Sequence, residues 1–210
     1  QYANISKAKL KKSILVAGGG PAGVKAACIA ADRGHSVTLC EKSNSLGGQI
    51  NLAQSLPGRT EFGGIITNLN KELTKTTVSV RFNSFVNTDL IKELAPDVVI
   101  AATGAIPYKP EILGSEEAHV VNAWQVLEGK ANVGGSVVIA DWRCDWVGLG
   151  LAELLVKQGC RVRLAVNGMV AGQNIPQYAR DAWIGKLHKL GVEIITHVRV
   201  VGVNPEDAYF

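Results

Sequence analysis

A short apolar run, Ser13-Ile14-Leu15-Val16-Ala17, passes directly into Gly18-Gly19-Gly20-Pro21-Ala22-Gly23, then into a helix-patterned stretch, a second run Ser36-Val37-Thr38-Leu39-Cys40, and an acid, Glu41. Strand, glycine turn, helix, strand and terminal acid in that order constrain the chain to a parallel βαβ unit, in which the helix starts close against the sheet. Gly18 permits the tight turn out of the strand, Gly20 keeps side-chain bulk away from an approaching anion, and Gly23 lets the helix lie near the strand. Pro21 suits the first helical position, where a missing N–H costs nothing. Free amides and the positive end of the helix dipole then suit a pyrophosphate. Glu41 would accept from adenosine ribose hydroxyls and would repel a 2′-phosphate, so FAD, NAD or ADP fits this site better than NADP. The plainer alternative is a glycine-rich connection in an α/β protein that binds nothing.

With 210 residues, 47% hydrophobic and 19% charged, the chain can bury one large core or two small domains. No apolar run approaches the ~18 residues needed to cross a bilayer, and no signal-peptide core stands near Gln1. A cytoplasmic protein without a membrane partner is expected. Net charge is +4, and Lys7, Lys9, Lys11 and Lys12 precede the first strand without interleaved aromatics. That pattern fits a solvated lead-in over residues 1–12, not a nucleic-acid patch. Cys28, Cys40, Cys144 and Cys160 are too far apart for a CxxC pair or a metal cluster and are expected to be reduced, mostly buried thiols.

A first unit over residues 13–107 continues through Leu46-Gly47-Gly48-Gln49, a loop at Pro57-Gly58 and a helix over 60–74. Short strands are expected at 78–82 and 85–86, a small helix at 89–94, and a buried-type strand over 97–104 that returns to the same sheet. A second unit over residues 108–210 has helix patterns at 123–127, 147–158 and 177–190 and strand patterns at 136–140, 161–166 and 192–196. Gly34-x-x-Val37-x-Leu39 in the first unit is echoed by Gly159-x-x-Val162-x-Leu164 in the second, which marks a duplicated architecture. The fold class expected is α/β, two Rossmann-like dinucleotide-binding units with mostly parallel sheets. The second unit is expected to be cut short after the strand-like run Val198 to Val203, as a piece of something larger.

The second turn departs sharply from the first. Where the first unit has Gly18, Gly19 and Gly20, the second has Asp141-Trp142-Arg143-Cys144-Asp145-Trp146, with glycines only at Gly148 and Gly150. Bulky side chains would block a phosphate, and two carboxylates would oppose it, so NAD(P) is not expected to bind there in the usual way. Trp142 and Trp146 could fill the vacated space, dock against a neighbouring domain, or simply cover the core of their own unit.

The chain resembles the carboxy-terminal half of the trimethylamine dehydrogenase, histamine dehydrogenase and 2,4-dienoyl-CoA reductase family of NADH:flavin oxidoreductases. The resemblance is carried by residues 16–23, Glu41-Lys42, residues 46–53, Pro57-Gly58-Arg59-Thr60-Glu61-Phe62 and Ala101-Ala102-Thr103-Gly104, and it covers nearly the whole chain. It implies a fold like that of glutathione reductase and adrenodoxin reductase. It also implies an amino-terminal flavin barrel of the same polypeptide, carrying FMN and a four-iron cluster, on which the chemistry runs. The dehydrogenase branch holds ADP in the first fold; the dienoyl-CoA reductase branch holds FAD there and takes electrons from NADPH in the second. The turn at 141–146 looks more like the dehydrogenase or demethylase branch. Carried over position by position, Gly18, Gly20, Pro21, Ala22 and Gly23 should meet the pyrophosphate, Glu41 the ribose, and Gly48 and Gln49 the phosphate or ribityl side. Arg59 should be an electrostatic partner of the nucleotide and Val86 should pass adenine by its backbone, with Lys42, Thr103 and Gly104 beside them in the matched motifs.

No nucleophile, base and orienting group can be assembled from His35, His119, His188 and His197, and no catalytic or metal-ligating residue is expected. The segment 49–56, where related disulfide reductases carry paired cysteines, has none. The leading expectation is the FAD- or ADP-binding portion of a flavin-dependent oxidoreductase, of the amine dehydrogenase or N-demethylase type. The alternatives are an NADPH-dependent enoyl- or dienoyl-CoA reductase-type electron-transfer domain, and a non-redox module that ADP stabilises. A homo-oligomer is possible.

Overall fold

Strand β1 (Ser13–Ala17) buries Ile14, Leu15, Val16 and Ala17 in succession, and a strand apolar on both faces is stable only inside a sheet covered on both sides. In the computed structural model, which describes residues 6–116 and 118–210, β1 lies between β2 (Ser36–Cys40) and β4 (Val98–Ala101). Both pairings are parallel, and β3 (Ser79–Arg81) lies outside β2, giving the order β3-β2-β1-β4. Helix α1 (Pro21–Asp32) turns Val24, Ala27, Cys28 and Ala30 onto this sheet. Full burial of a leucine contributes about 2 kcal/mol, and Leu15 and Leu39 are wholly enclosed here. Outside α1 runs α3 (Gly63–Leu73), tied to it by Lys25 Nζ and Glu72 Oε2 at 2.6 Å. Two short helices complete the unit, α2 (Gln49–Ala53) and α4 (Thr88–Leu94), the latter capped by the Asn87 side chain.

The chain divides into two compact units between Ile106 and Pro107. The second opens with α5 (Ala123–Leu127), whose start is a reciprocal Asn122–Gln125 capping box. Its sheet, in the order β5-β6-β7, pairs β5 (Ser136–Asp141), β6 (Arg161–Val166) and β7 (Glu193–Ile195) in parallel. Helices α6 (Trp146–Lys157) and α7 (Gln177–Lys189) are joined by a buried carboxylate. Glu153 accepts from Lys157 Nζ at 2.6 Å, from Lys186 Nζ at 2.5 Å and from Trp183 Nε1 at 3.1 Å. Burial pushes the Glu153 carboxyl up, but the two lysines outweigh it and the net displacement is downward. The chain is thus an α/β protein of two Rossmann-like units with parallel sheets, the architecture the sequence led us to expect.

Several local expectations need correction. The helix expected over 60–74 is a 3-10 turn at Thr60–Phe62 followed by α3; Gly63 and Gly64 weaken helix there, and a Cβ at Gly63 would strike the Gln54 amide. Phe85 and Val86 form no strand, because the chain turns at Asn83 (φ 50°), where the last pairings are Asn83 N–H to Ser43 O at 3.0 Å and Ser84 N–H to Glu41 O at 2.9 Å. The strand over 97–104 is shorter and is not buried throughout; as an edge strand it leaves Val99 41% exposed. The run Val198 to Val203 leaves the parallel sheet because His197 adopts φ 60°. Only Gly202–Val203 (β8) is strand, paired antiparallel with Ala208–Tyr209 (β9). All four cysteines are buried and free. Among the described residues, no helix is long and apolar enough to cross a membrane.

Candidate functional site

At the carboxyl end of β1 the backbone must turn where no side chain fits. Gly18 has φ 109°, and a Cβ on it would strike the Ala102 carbonyl; one on Gly23 would strike the Gly18 carbonyl. The first turn of α1 therefore lies directly on the strand end. Gly20 differs: its backbone is extended (φ −71°, ψ 177°), and a Cβ there would meet nothing within 4 Å. Space, not conformation, is what this glycine leaves. Pro21 takes the first helical position, no side chain among the described residues caps α1, and its first turn holds no acid. The helix start, with Ala22 exposed on it, is an open anion-binding end.

A second glycine loop closes over the first. Gly47 (φ 123°) donates its N–H to Gly19 O at 2.9 Å, and a Cβ at Gly48 would sit 3.2 Å from Gly20 Cα. Asn51 Nδ2 braces the loop by donating to Leu46 O at 3.0 Å. Helix α2, which begins at Gln49, also lacks a side-chain cap. Gln49 Nε2 lies 3.4 Å from where a Gly104 Cβ would be, so it faces the Thr103-Gly104 turn after β4.

Glu41, just past β2, is 7% exposed and held at both oxygens. Oε2 accepts from Gly19 N–H at 2.7 Å, and Oε1 accepts from the Ser43 N–H and hydroxyl, each at 2.8 Å. Burial raises its carboxyl, but the Ser43 N–H, the Gly19 N–H, the Ser43 hydroxyl and the Lys42 charge together outweigh burial and hold it below the usual range. Oε1 thus has both lone pairs occupied, and Oε2 keeps one for a ribose hydroxyl. Val86 is half-buried two residues after Ser84, outside any strand. Arg59 precedes the 3-10 turn with its guanidinium 5.5 Å from the centre of the Phe62 ring. Gly18, Gly20, Pro21, Ala22, Gly23, Glu41, Gly48, Gln49, Thr103 and Gly104 thus gather at the carboxyl ends of β1, β2 and β4, where open parallel sheets bind ligands.

The matching end of β5 is filled from within. Asp141 Oδ1 accepts from Cys144 N–H at 2.9 Å and Arg143 N–H at 3.1 Å, while Oδ2 is buried without a partner among the described residues and lies against Gly148, where a Cβ would strike it. Burial, reinforced by the neighbouring Asp145 charge, raises its carboxyl to about 6. Asp145 caps α6 by accepting from Val147 N–H at 3.0 Å and pairs with Arg143 Nε at 2.7 Å. The indoles serve their own unit: Trp146 packs on Trp183 at 6.0 Å between centroids, and the Arg199 guanidinium lies 4.2 Å over Trp142.

Ser43 and Asn51 escaped the sequence reading. A serine two residues beyond a strand-end acid is a local turn signal, but it does not say which oxygen the serine will hold. The Asp145 cap was legible in principle, as an acid directly before a helix pattern. Among the described residues, no cluster of three His, Cys, Asp or Glu side chains could hold a metal.

Residues 12–209 match the family described as pyridine nucleotide-disulphide oxidoreductase. The chain is similar to an N,N-dimethylglycine/sarcosine dehydrogenase of Chromohalobacter salexigens, 34% identical over 82% of this chain and 26% of that protein. It is also similar to an NADH oxidase of Thermoanaerobacter brockii, 34% identical over 97% of this chain and 32% of that protein. The structure of a 2-naphthoyl-CoA reductase in complex with 2-naphthoyl-CoA superposes with a TM-score of 0.89 at 31% identity, over 97% of this chain and 31% of that one. The chain spans about a quarter to a third of the length of these relatives.

Proposed function

The chain belongs to the pyridine nucleotide-disulphide oxidoreductase family, a family of oxidoreductases, and from that premise we propose that its first unit binds the adenosine diphosphate moiety of FAD or of ADP itself while its second binds no nicotinamide nucleotide. Family membership implies a fold built for FAD and NAD(P), and the two units answer that implication differently. In the first, the uncapped start of α1, the empty space beside Gly20 and the buried Glu41 fit a pyrophosphate and a ribose. In the second, Asp145 already caps α6 and Asp141 already holds the amides of the turn. A pyrophosphate would meet two carboxylates there, and burying an anion against them costs several kcal/mol.

Bound FAD would supply electron transfer; ADP would supply charge and packing alone. This chain's own residues bind and orient: amides at Gly20, Ala22 and Gly48 toward the phosphates, Glu41 toward the ribose, Gln49 toward the outer phosphate or ribityl, and Val86 toward adenine. Arg59 and Lys42 contribute positive charge nearby. The whole protein is proposed to be a flavin-dependent oxidoreductase of the amine dehydrogenase or N-demethylase type, with FMN and a four-iron cluster on a barrel of the same polypeptide. Similarity to a dimethylglycine/sarcosine dehydrogenase supports that type. The buried free thiols suit a reducing compartment, taken as the cytoplasm.

The observation that carries the proposal is that α1 starts without a cap while α6 starts on Asp145. Calorimetric titration of the purified chain with ADP, FAD, NADH and NADPH tests it. ADP and FAD should bind at one site, NADH should compete only at that site through its own adenosine diphosphate, and no second site for NADH or NADPH should titrate; affinity for neither ADP nor FAD, or a second nicotinamide-nucleotide site, overturns the proposal. A second reading, an NADH- or NADPH-fed electron-transfer domain, is favoured by the likeness to an NADH oxidase and a 2-naphthoyl-CoA reductase. Bleaching of bound FAD by NADH or NADPH would establish it.

A further inference from the structure

Three donors grip the Glu41 carboxylate, and only one of them belongs to the glycine turn. Gly19 N–H holds Oε2; Ser43 holds Oε1 twice, through its N–H and its hydroxyl, both at 2.8 Å. The Ser43 hydroxyl also lies 2.8 Å from Ser45 O. It has one proton, and the charged acceptor draws it, because hydrogen bonds to a carboxylate are about twice as strong as those to a neutral carbonyl. The main chain of Ser43 is fixed from the other side: its carbonyl accepts from Asn83 N–H at 3.0 Å, one residue before Ser84 N–H binds Glu41 O at 2.9 Å. Loop 42–45 is thereby registered against the segment that leads to Val86.

We propose that Ser43 is a positioning residue for nucleotide specificity: by occupying both lone pairs of Glu41 Oε1 it fixes the carboxylate so that the remaining lone pair of Oε2 is presented in advance to a ribose hydroxyl, and it selects an adenosine diphosphate with a free ribose over one carrying a 2′-phosphate. The proposal rests on the reading that adenosine diphosphate binds the first unit. A glutamate at a strand end loses rotamer freedom when a ligand fixes it, and a carboxylate already fixed avoids that loss at binding. A fixed carboxylate also cannot swing away from a 2′-phosphate, so the repulsion is enforced. Ser43 itself is exposed, so losing its hydroxyl leaves neither a cavity nor a buried orphan, and its N–H bond to Oε1 survives in Ser43→Ala.

The test is calorimetric binding of ADP, 2′,3′-dideoxy-ADP and 2′-phospho-ADP to the parent chain, Ser43→Ala and Ser43→Thr. Ser43→Ala should weaken ADP about five-fold, leave dideoxy-ADP unchanged and lower the preference for ADP over 2′-phospho-ADP by at least the same factor. Ser43→Thr, which keeps the hydroxyl, should restore the parent values. Ser43→Thr should melt with the parent and Ser43→Ala only a few degrees below it. Equal losses for ADP and dideoxy-ADP would make Ser43 merely structural, and unchanged ADP binding would remove its role; either overturns the proposal while the site stands. A parent chain that binds no ADP overturns the site and the proposal together.

Discussion

After β1 the chain enters α1 with no side chain over the helix start; after β5 it enters α6 with one carboxylate capping the helix and a second lodged before it. The two turns share their place in a strand–helix–strand unit, and both let the helix approach closely, through Gly23 in one and Gly148 in the other. What differs is where the negative charge comes from. The positive end of a helix dipole favours an anion, and the second unit provides two of its own. Backbone topology therefore does not decide whether such a helix start is left open to an outside anion; the side chains at a few turn positions do.

The comparison can be broken by moving the acid. Gly20→Asp places a carboxylate where a Cβ meets nothing and where the extended backbone suits a capping aspartate. ADP affinity should fall at least about 100-fold, on the order of 3 kcal/mol, while thermal stability stays level or rises by a few tenths of a kcal/mol. Loss of stability in parallel with binding would mean that Gly20 is needed for folding, not for space.

A smaller effect probes the second turn. The Asp141 carboxyl, raised by burial to about 6 from an ordinary 3.8, keeps its proton in the folded state over a range where the unfolded chain has lost it. Stability from this group is present below about pH 4 and is lost as pH rises through about 6. Asp141→Asn should therefore be more stable than the parent at pH 7.5, by about 1–2 kcal/mol out of a ceiling on the order of 3, and the gap should close near pH 4. Urea unfolding at the two pH values measures it, and a gap independent of pH would show that Asp141 titrates normally.

The smallest effect sharpens the assignment of the cap. Asp145→Ala removes the acceptor for Val147 N–H and should cost about 1 kcal/mol. Nicotinamide nucleotides should remain excluded, because Asp141 still holds the turn. A melting temperature unchanged by the substitution would remove Asp145 as the cap.

The first turn was legible in sequence because each requirement there is met by a residue type that rarely stands in for another: Gly18 for positive φ, Gly23 for contact, Pro21 for the helix start. The second was legible only as an obstruction. That Asp141 would bind the amides of its own turn, and Asp145 cap the helix, depends on side-chain reach that no spacing rule fixes. Boundaries failed where glycine or a left-handed residue intervened, at Gly63, at Asn83 and at His197. Ser43 was invisible for a related reason: its role follows from the direction in which Glu41 folds back toward Gly19.

On the proposed function, the bare start of α1 ties the endurance of the first unit to the supply of its ligand. A protein that binds only when folded gains RT ln(1 + [L]/Kd), about 2.7 kcal/mol at a hundred-fold excess over Kd, and on the proposed function the first unit has that gain to make while the second, its helix start already capped by Asp145, does not. If the first unit binds adenosine diphosphate as proposed, added ADP should protect residues of the first unit from proteolysis and leave cleavage within the second unchanged.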